Sequence, residues 1–144
     1  MADIALTAAR VAVCFPNHPT TEIVNGVASV ALTTGQVVYL VAATGRYALA
    51  DANVAAAGQV RGMALMGAGI GGAVSILKRG MVYGFTLTGL DYDAQVFLSN
   101  NAGNVADAAG GNNIKVGRVA PLTDADATKV LYVLTDWLNN WTSI

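Results

Sequence analysis

The 144-residue chain is 54% hydrophobic but only 12% charged, with 8 Lys and Arg against 9 Asp and Glu and a net charge of −1. That charge content is about half the ~25% usual for soluble domains, which points to surface hidden in an oligomer or a larger assembly. Lys78-Arg79 is the only adjacent basic pair, so the clustered cations that neutralise nucleic-acid phosphates are lacking and direct nucleic-acid binding is not expected.

The length suits one domain with an adequate core. Cys14 is the sole cysteine, so no intrachain disulfide is available. The apolar run Val11 to Phe15 stops at Pro16, too short for a signal peptide. The longest uncharged glycine-rich run, Gly62 to Leu77, falls below the ~20 residues of a membrane helix, and no membrane partner is expected.

Residues 1–25 show no clear period. Ala5 to Ala12 has the length of two helical turns, but Phe15-Pro16-Asn17-His18-Pro19 breaks any helix. This segment reads as an arm, extended or mobile unless a partner holds it. Residues 26–144 read as a single β-rich domain. Strand-length runs recur between turn residues: Val27 to Thr33, Gln36 to Val41, Arg46 to Ala50, Gln59 to Leu65, Gln95 to Ser99, Asn104 to Ala108, Ile114 to Ala120 and Lys129 to Thr135. Met81 to Thr88 alternates most clearly, and the spacing predicts Met81, Tyr83, Phe85 and Leu87 on one face. Similarly, Arg61, Met63 and Leu65 are expected opposite Val60, Gly62 and Ala64. The pair Val60 to Leu65 and Val116 to Ala120 forms a weak internal echo, each with a glycine and an arginine inside an apolar strand. Glycine there marks a bend or a close backbone approach, as a small curved sheet requires.

Gly67, Gly69 and Gly72 match the dinucleotide fingerprint G-x-G-x-x-G, with Asp91 near the spacing of a ribose-binding acid. That reading needs a helix after the glycines and further βαβ units. Gly71 to Arg79 is short and carries Val74, Ser75 and Ile76, which are mediocre helix formers. The stronger reading is a β-turn followed by a strand with Val74 and Ile76 inward, the turn being a candidate for ordering by a neighbouring subunit.

Chemistry-bearing residues are sparse. His18 is the only histidine, and Cys14 four residues before it does not complete a zinc set. No G-x-S-x-G elbow accompanies it. Asp91 and Asp93, like Asp124 and Asp126, fit turn formation better than a calcium site, which wants six or more oxygens. Trp137 and Trp141 lie four apart and suit either packing over the domain end or a subunit contact. No cofactor, metal or enzymatic activity is expected.

The stretch Leu77-Lys78-Arg79-Gly80-Met81-Val82-Tyr83-Gly84-Phe85, continuing through Leu87 to Ser99, resembles the capsid decoration (cement) proteins of tailed bacteriophages. Gly103 to Ala109, Lys115 to Ala120, Lys129 to Thr135, Gly35 to Tyr39 and Val60 to Leu65 fit the same plan, so the likeness spans roughly residues 26–135. The resemblance implies an all-β fold, a small β-barrel or β-tulip domain with an N-terminal extended arm. It implies a homotrimer on the outer surface of the virion, cementing the major capsid protein lattice. A head-fibre or tail component is the alternative within that setting. Phe15, Pro16 and His18 of the arm and Trp137 and Trp141 of the tail are the candidate capsid or subunit contacts.

Overall fold

The computed structural model describes residues 2–122 and 129–135, and among them the chain forms nine strands and no α-helix. In chain order these are β1 (Glu22–Val27), β2 (Val37–Leu40), β3 (Tyr47–Leu49), β4 (Val60–Ala64), β5 (Ala73–Val82), β6 (Gln95–Leu98), β7 (Val105–Ala106), β8 (Lys115–Pro121) and β9 (Lys129–Leu134). Single 3₁₀ turns occur at Ala8–Arg10 and Ala55–Ala57. The expected all-β, barrel-like domain is what the chain adopts: one antiparallel sheet, curled into a half-barrel, in the order β3-β2-β4-β5-β9-β8-β6-β7, with β1 added to β5.

The long strand β5 is the hinge of this arrangement. Leu77 and Ile76 pair with β4, whereas Arg79 to Val82 pair with β9. Between them the register of β1 skips a residue, since Ile23 faces Leu77 and Glu22 faces Arg79. The skipped residue is Lys78, which is fully buried. Such a bulge bends a strand and increases its twist, and here it lets one strand serve both halves of the sheet.

The main core lies inside the curl. Val37, Met63, Leu77, Val96, Leu98, Val116, Val119, Leu131 and Val133 meet there, joined by Ile4, Val11, Phe85 and Leu87. A second cluster of Ala28, Leu32, Val38, Tyr47, Ala64, Val74 and Ile76 covers the opposite face of β2, β4 and β5. At roughly 25 cal/mol per Å² of apolar surface removed from water, burial of both faces is what holds this half together.

Several expectations change in detail. The strand expected over Val27 to Thr33 lies earlier, as β1; residues 28–33 instead form a loop tied by Ala28 and Leu32. The boundary expected after residue 25 therefore falls within β1. The preceding arm is extended and lies along its own domain, through isolated bridges Asp3–Ala106, Leu6–Phe85 and Val13–Val82. Ile4 and Val11 from it are buried, because each places a large aliphatic group over the open end of the curl.

The alternation over Met81 to Thr88 breaks. Val82, Phe85 and Leu87 are buried while Tyr83 is exposed, so Met81 and Tyr83 do not share a face with Phe85 and Leu87. Gly84 is the cause: at φ +101 it resets the phase of the chain, and the Val11 backbone nitrogen lies where its side chain would be, 2.8 Å from a Cβ. A bulge corrects the β4 faces too. Val38 pairs Gly62 but Tyr39 pairs Val60, leaving Arg61 unmatched, so Val60 and Met63 both enter the main core.

Candidate functional site

The arm residues proposed from sequence sit at a groove beside the β5 bulge. Cys14 donates its N–H to Met81 O (2.8 Å), after which the chain leaves the sheet edge and returns at Glu22. The excursion is a pair of turns, with His18 N–H on Phe15 O (3.2 Å) and Thr21 N–H on His18 O (2.9 Å). Thr21 Oγ1 adds a bond to Phe15 O (2.8 Å). Proline at 16 suits this turn by presetting its φ.

His18 is exposed on that excursion, its Nδ1 meeting Thr20 N–H (3.2 Å) and Thr20 Oγ1 (2.7 Å). Phe15, His18, Thr20 and Thr21 form one wall of a groove of about 250 Å³, with Gly80, Met81 and Tyr132 forming the other. The structure thus brings Phe15 and His18 together, with Phe15 46% exposed, and leaves Pro16 on the exposed rim of the turn. Trp137 and Trp141 lie outside the described residues, as do Asp124 and Asp126.

Cys14 does not read as a reactive thiol. Burial pushes its pKa up, against a smaller opposing effect of its hydrogen bond with Tyr83, and a thiol is nucleophilic only as its anion. Among the described residues no three His, Cys, Asp or Glu converge as metal ligands.

The glycine fingerprint leads from β4 into strand β5, so no helix N-terminus stands ready for a pyrophosphate. Val74 and Ile76 point into the second core as expected. Of the three fingerprint glycines, Gly67 and Gly69 have room for a side chain, and only Gly72 is tight, 3.0 Å from Gly69 O. The left-handed position is Gly71, at φ +80. Asp91 is exposed in the turn before β6. Nearby Asp93, at φ +67, accepts at its carbonyl a hydrogen bond from Arg118 Nη1 (2.7 Å). That is turn chemistry.

Two surface features were missed from sequence. Ile23, Val27 and Val30 are 41%, 38% and 36% exposed, and Met66 and Ile70 are 45% and 75% exposed. Backbone bonds between Ala28 and Gly71 (2.8 Å) and between Leu32 and Ala68 (2.8 and 3.0 Å) hold these two segments side by side. In the first group Ile23 was hidden in a segment without period, and Val27 and Val30 lay in an expected strand, Val27 to Thr33, whose faces the sequence does not assign. The other flanks and enters the glycine-rich turn that the sequence marks as a candidate for ordering by a neighbouring subunit, but Met66 and Ile70 themselves are not singled out there. Scattered exposed apolar residues are ordinary; these five stand on adjoining segments.

The second missed feature anchors the arm. Asp3 accepts hydrogen bonds from Ser99 Oγ, Asn101 Nδ2 (2.8 Å) and Asn104 Nδ2 (2.9 Å). Desolvation raises its pKa, but the bonds from Ser99, Asn104 and Asn101 outweigh this and hold the carboxyl below its ordinary value. Ala2 N–H on Asp107 Oδ1 (2.8 Å) completes the clasp.

Searches with this chain against protein-family models, curated proteins and solved structures returned no match.

Proposed function

We propose that this chain is a structural virion protein that binds the outer surface of a bacteriophage capsid and cements the lattice of its major capsid protein, working as a homotrimer. The observation that carries the reading is the pairing of a 12% charged composition with exposed apolar side chains on adjoining segments, Ile23, Val27, Val30, Met66 and Ile70. An antiparallel domain whose surface is apolar at a few places and poor in charge is suited to binding other protein surfaces. The motif-level resemblance to decoration proteins supplies the setting. Mechanically, such a protein bridges neighbouring capsid subunits, and every bridge adds contact area that must separate before the shell opens.

The arm enters this reading differently from the free tether expected. Because Ile4 and Val11 are core residues, deleting residues 1–19 would damage the fold rather than isolate an attachment function. Point variants separate the two. Phe15→Asp and Ile70→Asp change exposed side chains, so both variants should fold, and their binding to undecorated heads should fall by about tenfold or more for a contact residue. Cryo-electron microscopy of the native particle is the direct test. Density for this chain on the outer capsid surface is expected; its presence only in a tail or fibre, or its absence from the particle, overturns the proposal.

A further inference from the structure

Asn25-Gly26 is the only Asn-Gly sequence in the chain, and it stands in the middle of strand β1. Packing fixes the glycine. A Cβ at Gly26 would lie 2.3 Å from Tyr47 Cε2 and 2.6 Å from Tyr47 Cδ2, and Tyr47 is itself buried in the second core. The ring occupies the place of a side chain, so no larger residue fits beneath it. Asn25 before it is exposed, its Oδ1 accepting a 3.4 Å hydrogen bond from Ser75 Oγ across the ladder.

An asparagine followed by glycine is chemically labile in a free chain. The Gly26 nitrogen, having lost its proton to base, adds to Asn25 Cγ. The new N–Cγ bond closes a five-membered succinimide, the Cγ–Nδ2 bond breaks, and the amide nitrogen takes up a proton and leaves as ammonia. Water then opens the ring at either carbonyl. One opening gives aspartate. The other, the major product, gives isoaspartate, in which the main chain runs through the former side-chain carbonyl. Glycine favours the reaction because no side chain crowds its nitrogen or restrains its backbone.

The fold withholds both the nitrogen and the geometry. Ala28 N–H donates to Gly72 O (2.9 Å), towards β5. Backbone groups in an antiparallel ladder alternate in direction, so Gly26, opposite Val74, also turns its N–H to β5. A donating amide gives up its proton less readily, and the extended ψ of a strand holds the nitrogen out of line for ring closure. Just beyond, β1 is held from both sides, by Gly72 and by Ser29 N–H on Tyr47 O (2.7 Å).

We propose that Asn25-Gly26 is a latent deamidation site that docking of β1 on β5 keeps closed, and whose isoaspartyl product cannot return to the sheet. The second part follows from the same geometry. Isoaspartate adds one carbon to the main chain between Val24 and Gly26, which pair with Ile76 and Val74. Val24 packs on the second core and Gly26 lies under the Tyr47 ring, so the extra atom has no slack and β1 loses its register. The site converts a passing detachment of β1 into a permanent one. It goes beyond the capsid reading and does not depend on it.

Ageing the full chain at mildly alkaline pH, folded and in urea, tests the first part, with peptide mass spectrometry and isoaspartate detection. Loss of ammonia at Asn25 should be about a hundredfold slower or more in the folded chain, because a reaction confined to the open form tracks its population. Amide exchange at Gly26 reports the same opening on the same N–H, so the two protections should agree within about threefold. Val24→Ala, which thins the packing of β1, should speed both in the folded chain and neither in urea. For the second part, chain aged in urea is returned to buffer. Asn25→Asp, which carries the charge without the extra carbon, should regain exchange protection at Gly26, and the isoaspartyl chain should not. Equal rates in folded and unfolded chain, or a urea rate at Asn25 no greater than at Asn53, Asn101 or Asn104, would overturn the proposal. So would an isoaspartyl chain that regains protection at Gly26, or an Asn25→Asp chain that fails to.

Discussion

The strands β2 to β5 and β6 to β9 repeat one topology, yet the two halves are buried differently. In each half a hairpin is followed by a strand that returns to pair with the hairpin's first member, and then by a fourth strand. The sheet order reads β3-β2-β4-β5 and then, reversed, β9-β8-β6-β7. Even the irregularities match. The register of β2 against β4 shifts beside Gly62, and that of β6 against β8 shifts beside Gly117. Each shift sends two residues three apart into the main core, Val60 with Met63 and Val116 with Val119. The contrast lies in the outer faces. Over β2, β4 and β5 a second core is closed by Leu32 and Tyr47, while β6 alternates half-buried Gln95 and Phe97 with buried Val96 and Leu98, where β2 starts with two buried residues in a row. Sequence follows burial: Val37-Val38, Met63-Ala64 and Ile76-Leu77 are adjacent apolar pairs, as in strands covered on both sides. The lesson is that topology repeats while surface chemistry diverges.

The bulge glycines offer the largest test of the match. A methyl group at Gly117 would overlap the Tyr132 carbonyl oxygen, and one at Gly62 would meet Ile76 and come within 2.8 Å of Leu77 O. Overpacking typically costs ~1–3 kcal/mol and more where backbone must move. Gly117→Ala should be the more severe, because its obstacle is backbone on both nearest atoms. Gly62→Ala should lose about 2–3 kcal/mol, read from urea midpoints. Equal stability of either variant with the parent would mean the bulges are not structural counterparts.

The extra cover on one half gives the next test. Leu32→Ala should cost about 2–4 kcal/mol. Hydrogen exchange should quicken at residues 28–34 and 66–72 before it does in β6 to β9; uniform loss of protection would show that the second core is not a separate layer.

The second half has its own attachment, the Asp3 clasp on Ser99, Asn101 and Asn104. Because Asp3 is exposed, solvent screens its bonds, and Asp3→Ala should cost about 0.5–1.5 kcal/mol. Because the folded pKa is depressed, the stabilisation is present above the unfolded carboxylate value of about 3.9 and is lost as pH falls through the lower folded value. Acid titration followed by amide exchange at Ile4 should therefore show release in that window, and Asp3→Asn should abolish the dependence. No difference between parent and variant would rule out the clasp.

The smallest effect of all falls within the glycine-rich turn of the first half. Gly71→Ala should lose about 1–2 kcal/mol, since its φ is left-handed although space is open. Gly69→Ala, with nothing within 4 Å, should be neutral or gain about 0.4–1 kcal/mol by restricting the unfolded chain. The reverse order would show that the fingerprint glycines, not Gly71, shape the turn.

Most strands were legible because turn residues punctuate short apolar runs. The faces were less so, since Gly62, Gly84 and Gly117 shift phase by one residue and alternation cannot register an insertion. That Ile4 and Val11 belong to the core was illegible, because their neighbours, Val105 for Ile4 and Gly35 and Gly84 for Val11, are distant in sequence and leave no local period. Of the candidate contacts, Phe15 and His18 are singled out by the proline-broken segment, and the groove they share with Gly80, Met81 and Tyr132 depends on sheet pairing that the sequence does not display.

The position of β9 has a consequence for how the molecule is made. This strand is the last of the nine along the chain but lies in the middle of the sheet, between β5 and β8. During synthesis β5 and β8 emerge with their shared partner still to come, each offering an open edge. The halves can collapse separately, but the curl closes only when Lys129–Leu134 arrives to pair with both. Closure thus waits on sequence-distant pairing, the kind that slows folding and prolongs exposure of unpaired strands.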